Sequence, residues 1–439
     1  MSVGSIPRRV STALLTALGS GVVPRIGLEY TAVGRKKEIA ALLEDLDNVA
    51  AGGAMFRVVI GRYGSGKSFM LQLLRNHAMN RGFAVADADL SPDRRLAGTA
   101  GQGLATYREL MRNLATKTRP DGGALEAILE RWMSDVQALA MKDSGLRSGD
   151  AAFDRVVEEH ILEVVGRMEG LVHGFDFAQV LSAYWKGYRQ GDDARKDAAL
   201  RWLRGEFTTK VEAHASLGVR SIIDDAGWYD YLKLMASFVT SIGYRGLLVF
   251  IDEAVNLYKI SHTVSRQGNY EKLLAMLNDV VQGKAERLGI LLGGTPQFLE
   301  DPRRGLYSYE ALRSRLAESR FVKAGFQDLS GPIIRLESLS SDEVFVLLNR
   351  LTEIHRIHYG QATALTDADI QEFMQEIVNR LGADALLTPR EVIRDFLSVL
   401  NVLRQNPDVV FGQMVHGSDF QPGAAGKDPD AAEFAEFTL

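Results

Sequence analysis

The octapeptide Gly61-Arg62-Tyr63-Gly64-Ser65-Gly66-Lys67-Ser68 constrains this chain more than any other stretch. It fits GxxxxGK[ST], follows an apolar run at 56–60 that suits a strand, and opens a segment that suits a helix through Leu74. A glycine-rich loop between strand and helix aims backbone N–H groups and the positive helix end at one point, which suits a phosphate. Lys67 can then reach the outer phosphates and Ser68 can offer its hydroxyl to magnesium, while Gly61, Arg62, Tyr63, Gly64, Ser65 and Gly66 wrap the nucleotide. The next apolar run, 83–90, predicts a second strand with Asp87 and Asp89 at its carboxyl end, so the segment is a βαβ unit.

A second motif complements the loop. The run 246–253, GLLVFIDE, is uninterrupted apolar sequence that suits a strand covered on both faces, and it ends in Asp252 and Glu253. Asp252 is expected beside the magnesium shell, and Glu253 is expected to polarise an attacking water, which makes hydrolysis the predicted chemistry. The runs 289–294 and 332–339 predict further strands, the first of them beside the two nucleotide-bearing strands. Thr295, at its end, can hydrogen-bond a γ phosphate or the lytic water, or can cap the helix that Thr-Pro-Gln begins.

Three further groups of residues are candidates. Val33, Gly34 and Arg35 can line an adenine pocket or form a plain turn before a helix. Arg313 and Arg315, in YEALRSRLAES, can supply a finger arginine to a neighbouring subunit or decorate a solvated helix face. Arg390, in LLTPREVIRDFL, can reach from a helical lid to the phosphates or lie on an ordinary helix surface.

Between Gly101 and Tyr244 the texture turns helical. Apolar faces recur at Leu125, Ile128, Leu129, Trp132, Met133 and Val136, at Phe153, Val156, Val157, Ile161, Leu162 and Val165, and at Phe177, Val180, Leu181, Tyr184, Trp185 and Tyr188. The last stripe, with Lys186 and Arg189 nearby, can stack nucleic acid, although its spacing favours a packed core. After Ser340 the pattern is helical throughout. The organisation reads as an N-terminal segment 1–31, a nucleotide-binding core 32–100 and 245–339, a helical insertion 101–244, a helical lid 340–416 and a flexible tail 417–439.

Composition narrows the chemistry. The 439 residues contain no cysteine, which excludes disulfides, thiolate nucleophiles and cysteine-ligated zinc. His355 and His358 sit in a helical stretch without a third ligand nearby, so a structural metal is not expected. With 51 basic and 56 acidic side chains the net charge is -5, so any DNA contact is expected from a local basic surface rather than bulk charge. No segment approaches the roughly 20 apolar residues of a membrane helix and residues 1–21 do not read as a signal peptide, so a cytoplasmic location without membrane contact is expected.

Taken together, VGRKKEI, GRYGSGKS, LLVFIDE, GGTPQFL and LTPREVIRDFL resemble AAA+ ATPases of the origin-recognition and STAND-related branch. IPRRVSTALLTALGSGVVP at 6–24, SIIDDAGWYDYL at 221–232 and the following GYRGLLVFIDEAVNLYKI are similar, more narrowly, to the ATP-binding proteins of BREX bacteriophage-exclusion systems of the BrxD type. The resemblance implies an α/β fold, an AAA+ (ASCE) P-loop NTPase with a parallel sheet, a large helical insertion and a C-terminal helical lid. It implies an ATPase that uses ATP and Mg2+ and forms a nucleotide-dependent homo-oligomer. Its implied partners are other defence-system proteins, such as a helicase or DNA-modification component, and DNA. The alternative is a slow-hydrolysing regulatory switch or assembly scaffold without direct DNA action.

Overall fold

The computed structural model describes residues 6–146, 150–166, 168, 170–318, 328–360, 365–381 and 388–417. The chain opens with α1 (Arg8–Gly19), α2 (Leu28–Thr31) and α3 (Lys36–Ala50), then β1 (Met55–Gly61), α4 (Lys67–Asn80) and β2 (Ala84–Asp89). A helical run follows: α5 (Gln102–Arg112), α6 (Ala124–Ser144), α7 (Ala151–Gly166), α8 (Gly174–Gln190), α9 (Asp193–Leu203), α10 (Lys210–Leu217) and α11 (Trp228–Ser241). Next come β3 (Leu247–Asp252), α12 (Val255–Tyr258), α13 (Thr263–Val281), β4 (Leu288–Gly294), α14 (Pro296–Glu300), α15 (Glu310–Leu316) and β5 (Ile333–Leu336). The chain continues through α16 (Ser341–Tyr359), α17 (Asp367–Leu381), α18 (Pro389–Gln405) and α19 (Phe411–Val415). Apart from Gly417, the expected tail 417–439 lies outside the described residues.

Two compact units emerge, one of Met1–Ala40, Ile60–Asn76 and Arg335–Leu439, the other of Ala41–Val59 and His77–Ile334. The second unit is built on a five-stranded parallel sheet in the order β2-β3-β4-β1-β5. The β4 strand therefore lies between β1 and β3, as its sequence position beside the nucleotide-bearing strands leads one to expect. The register pairs Asp89 with Asp252 at the carboxyl ends of β2 and β3, and Ile251 with Leu292 on β4. Every residue of β1 and β4 is buried, which is why these strands read as continuous apolar runs. The exception in sequence is Arg57, a buried cation in β1. Its Nε and Nη2 donate to the two carboxylate oxygens of Asp45 at 2.7 and 2.8 Å, so the charge is paired where it is desolvated.

The helical run of this unit owes its shape to aromatic packing. Trp132 on α6 meets Phe238 on α11 edge to face at 5.0 Å between centroids, and Phe177 on α8 touches both Phe238 and Trp202 on α9. Tyr184 and Trp185 are buried in this core. Arg189 is held in ion pairs with Asp154 and Glu158 of α7, so the stripe on α8 is packing rather than an open stacking platform. One expectation fails: Leu162 is 60% exposed. Phe153, Val157, Ile161 and Val165 recur every four residues and bury a narrow stripe of α7, and Leu162 lies one step, about 100° of helical rotation, beyond Ile161.

In the first unit, the expected N-terminal segment contributes α1 and α2. Leu14 and Leu18 of α1 join Leu347, Leu348, Leu351 and Ile354 of α16 and Phe396 and Leu400 of α18 in one apolar core. Ser11, also buried, hydrogen-bonds His358 Nδ1 at 2.8 Å, with the tautomer deciding the donor. Ser340 caps α16 through the Glu343 N–H while the Glu343 carboxylate accepts from the Ser340 N–H, a capping box that Ser-Ser-Asp-Glu makes legible.

Candidate nucleotide-binding site

The glycine-rich loop lies in the first unit. The loop leaves β1 at Gly61, turns through Gly64 at φ 76° and Gly66 at φ 92°, and enters α4 at Lys67. These are left-handed conformations that glycine adopts without penalty. At Gly64 a side chain is doubly excluded, because a Cβ there would stand 2.4 Å from the Thr388 Cβ at the start of α18. Lys67 Nζ donates to the carbonyls of Gly61 and Arg62 at 2.9 and 3.0 Å, holding its ammonium over the loop. Ser65 is buried with its Oγ unpartnered, whereas Ser68, in the first turn of α4, is exposed.

The segment Val33-Gly34-Arg35 braces this loop. The Arg35 guanidinium donates to the Ser65 carbonyl at 3.3 Å and to the carbonyl of Glu337, and it faces Glu38. Arg35 itself has φ 59° and Gly34 φ 68°. A Cβ on Gly34 would meet the Glu343 carboxylate oxygen at 2.4 Å, so glycine lets this turn approach the capped end of α16. Val33 packs against the apolar core of the unit. Arg390, exposed at the start of α18, donates from Nη1 to the Tyr63 hydroxyl at 2.8 Å. Thr388 is 5% exposed and its hydroxyl has no partner, a feature of the loop's surroundings that the sequence reading did not single out.

The candidate acids lie in the second unit, at the carboxyl ends of β2 and β3. Asp252 is half-buried and its Oδ1 accepts from the Glu253 N–H at 2.8 Å. Glu253 is exposed and has φ 56°, so the chain leaves extended geometry at this residue. Asp89, opposite Asp252, keeps an exposed edge, yet desolvation at the crowded strand ends pushes its carboxyl above the usual range, and the charges of Asp252 and Asp87 add to that rise. Asn256, also missed from sequence, donates through Nδ2 to the carbonyls of Leu90 and Glu253 at 2.9 and 3.2 Å. Thr295 caps α14, its Oγ1 accepting from the Phe298 N–H at 3.3 Å, an arrangement that leaves the hydroxyl proton available to donate. Arg313 and Arg315 are exposed on α15, the first facing Glu310 at 3.7 Å and the second bonded to the Ala311 carbonyl.

The residues present fit a nucleotide's phosphates. Residues 61–68 carry two cations and no acid, Gly64 and Gly66 hold left-handed backbone, and the buried Ser65 Oγ is an orphan polar atom. Among the described residues no group of three or more His, Cys, Asp or Glu side chains is set to hold a metal. Among the same residues no helix is long and apolar enough to cross a membrane.

Comparison with known families agrees with these features. The family described as BREX system ATP-binding protein BrxC/D matches residues 6–419, which takes in the second unit and most of the first. No curated protein sequence matches the chain.

Proposed function

The chain belongs to the BREX system ATP-binding protein BrxC/D family, and from that premise we propose that it is an AAA+ ATPase that converts ATP and water to ADP and phosphate. Its nucleotide cycle would then be passed to DNA or to partner proteins of the phage-exclusion system. The observation that carries this reading is the strand order β3-β4-β1. In a parallel sheet, one strand ending in the phosphate loop, the next but one ending in two acids, and a polar Thr295 at the end of the strand between them make an arrangement suited to phosphoryl transfer to water.

Each residue then has a defined task. Lys67 and the backbone N–H groups of residues 64–68 bind phosphate, and Ser68 and Asp252 supply oxygens to magnesium. When bound, Mg2+ and ATP supply a terminal phosphoryl group whose charge is partly neutralised. Glu253 orients the attacking water and takes its proton on the carboxylate. Thr295 donates its hydroxyl proton toward the phosphate or that water. Arg390, at the start of α18, reports the state of the loop to the helical bundle of its own unit, and Arg313 or Arg315 serves a neighbouring copy as finger.

Phosphate release measured on the full chain, with and without duplex and single-stranded DNA, tests this. Turnover that needs Lys67 and Glu253 and that DNA stimulates is the expected result. Turnover unaffected by both Lys67→Ala and Glu253→Gln would overturn the site assignment, and slow turnover indifferent to DNA would turn the reading toward a regulatory switch or scaffold.

A further inference from the structure

We propose that Asn256 is the positioning residue for Glu253, a proposal that rests on the reading of Glu253 as the base. Glu253 comes directly after β3 and has φ 56°, a region that residues with a Cβ seldom occupy. Such a conformation persists where its surroundings over-determine it. Here the surroundings are three strand ends. The Glu253 carbonyl accepts from the Asn256 N–H at 3.0 Å and from Asn256 Nδ2 at 3.2 Å. The same Nδ2 donates to the carbonyl of Leu90, the residue after β2, at 2.9 Å. The following N–H, that of Ala254, donates to the Gly293 carbonyl near the end of β4 at 2.9 Å.

One side chain thus ties the backbone that follows β2 to the turn that carries Glu253, and the next peptide ties that turn to β4. The chemistry of the tie selects asparagine. Its neutral amide offers two hydrogens from one nitrogen on a short stem, whereas aspartate would set a negative charge against two carbonyl oxygens and serine would offer one hydrogen. The tie acts on the Glu253 backbone, so its effect on the reaction is where the carboxylate points, and nucleotide affinity stays with Lys67 and the loop.

The test compares wild type, Asn256→Ala, Asn256→Asp, Asn256→Gln and Glu253→Gln in the full chain. It measures steady-state ATP turnover, ATP affinity by calorimetry, and amide hydrogen exchange without nucleotide. Asn256→Ala is expected to lower kcat by about tenfold or more, since small misplacements of a reacting group are costly, while ATP affinity stays within about twofold. Exchange should quicken at the amides of Ala254 and Asn256 and stay slow in the core strands. Asn256→Asp should reproduce the loss, and Asn256→Gln, which keeps both donors, should restore part of it. An Asn256→Ala protein that turns over within about twofold of wild type while Glu253→Gln is inactive overturns the proposal. A loss of turnover matched by a loss of ATP affinity or of global protection also overturns it, because the residue then serves the fold. Wild-type turnover in Glu253→Gln is a different failure: it removes the base itself, and the positioning role falls with it.

Discussion

Arg390 and Tyr63 stand 327 positions apart in the sequence and share a hydrogen bond of 2.8 Å from the guanidinium to the phenol oxygen. The contact joins the exposed tip of the glycine-rich loop to the first turn of α18. The bond biases the guanidinium toward the loop tyrosine and against turning to a phosphate. Tyr63→Phe keeps the ring and removes the acceptor, so it should tighten ATP binding, by up to about fivefold if the net bond is worth about 1 kcal/mol. Arg390→Ala should weaken it. Calorimetric titration with Mg-ATP checks both, and unchanged affinity in the two variants would show that Arg390 does not read the nucleotide.

Lys67→Ala should abolish measurable ATP binding, since the phosphate-facing charge of the loop rests on that side chain. Glu253→Gln should bind ATP and hydrolyse it slowly, because the amide keeps the shape and cannot take a proton. Nucleotide retained on the purified proteins, quantified after denaturation, distinguishes the two.

Gly34→Ala should cost about 1–3 kcal/mol of stability, from a left-handed backbone and from the close approach to Glu343. The steric part is shared with one partner, so the cost should fall in a Glu343→Ala background. A double-mutant cycle by denaturant unfolding reads the coupling, and strict additivity would mean that backbone conformation alone sets the cost.

Burial pushes the His355 imidazole below its ordinary pKa of 6.5, with Arg404 and His358 acting in the same direction against the hydrogen bond that its Nε2–H donates to Asn401 Oδ1. A histidine depressed in the fold is neutral there and binds a proton more readily when unfolded. Its contribution is therefore complete above the unfolded value and is lost progressively as pH falls from about 6.5 through the lowered folded value. The exposed His416, raised by Glu372, acts with the opposite sign. Melting curves at about pH 7.5 and about pH 5.5 should show a smaller acid-induced drop for His355→Gln than for wild type. An equal drop would assign the acid sensitivity to other groups.

The exposed Arg313 and Arg315 make a subunit-crossing finger testable by mixing. Alanine at the responsible arginine should slow turnover by about 10³ if it acts in trans. A Lys67→Ala copy is inactive for a different reason, so mixing the two proteins should regain activity at interfaces that pair an intact loop with an intact arginine. Constant activity per chain on dilution to a proven monomer would return both arginines to the solvated helix face.

The strand-loop-helix at residues 55–80 was legible because local chemistry dictates it: an apolar run, glycines where φ turns positive, and a lysine entering a helix. The acid-ended β3 was legible for the same reason, and so was the helical texture of residues 101–244. Leu162 misled because a broad apolar face and a stripe repeating every four residues differ by one position, which only the packing of α7 resolves. Asn256 escaped notice because a lone asparagine after a strand carries no pattern, and its value lies in two carbonyls, one of them 166 positions away.

By itself the sequence determined the identities on which the proposed chemistry rests: the cation, hydroxyl and acids of the candidate site, and the alternation of buried strands with amphipathic helices. These are properties of residues and their near neighbours. Only the tertiary structure decided that α1 shares a core with α16 and α18, that Gly34 faces Glu343, that Tyr63 meets Arg390, and that Asn256 ties two strand ends together. Each of these pairs groups separated by many residues. Closing such long loops costs entropy that no local motif records, and it is offset only when the apolar core and the hydrogen bonds form together.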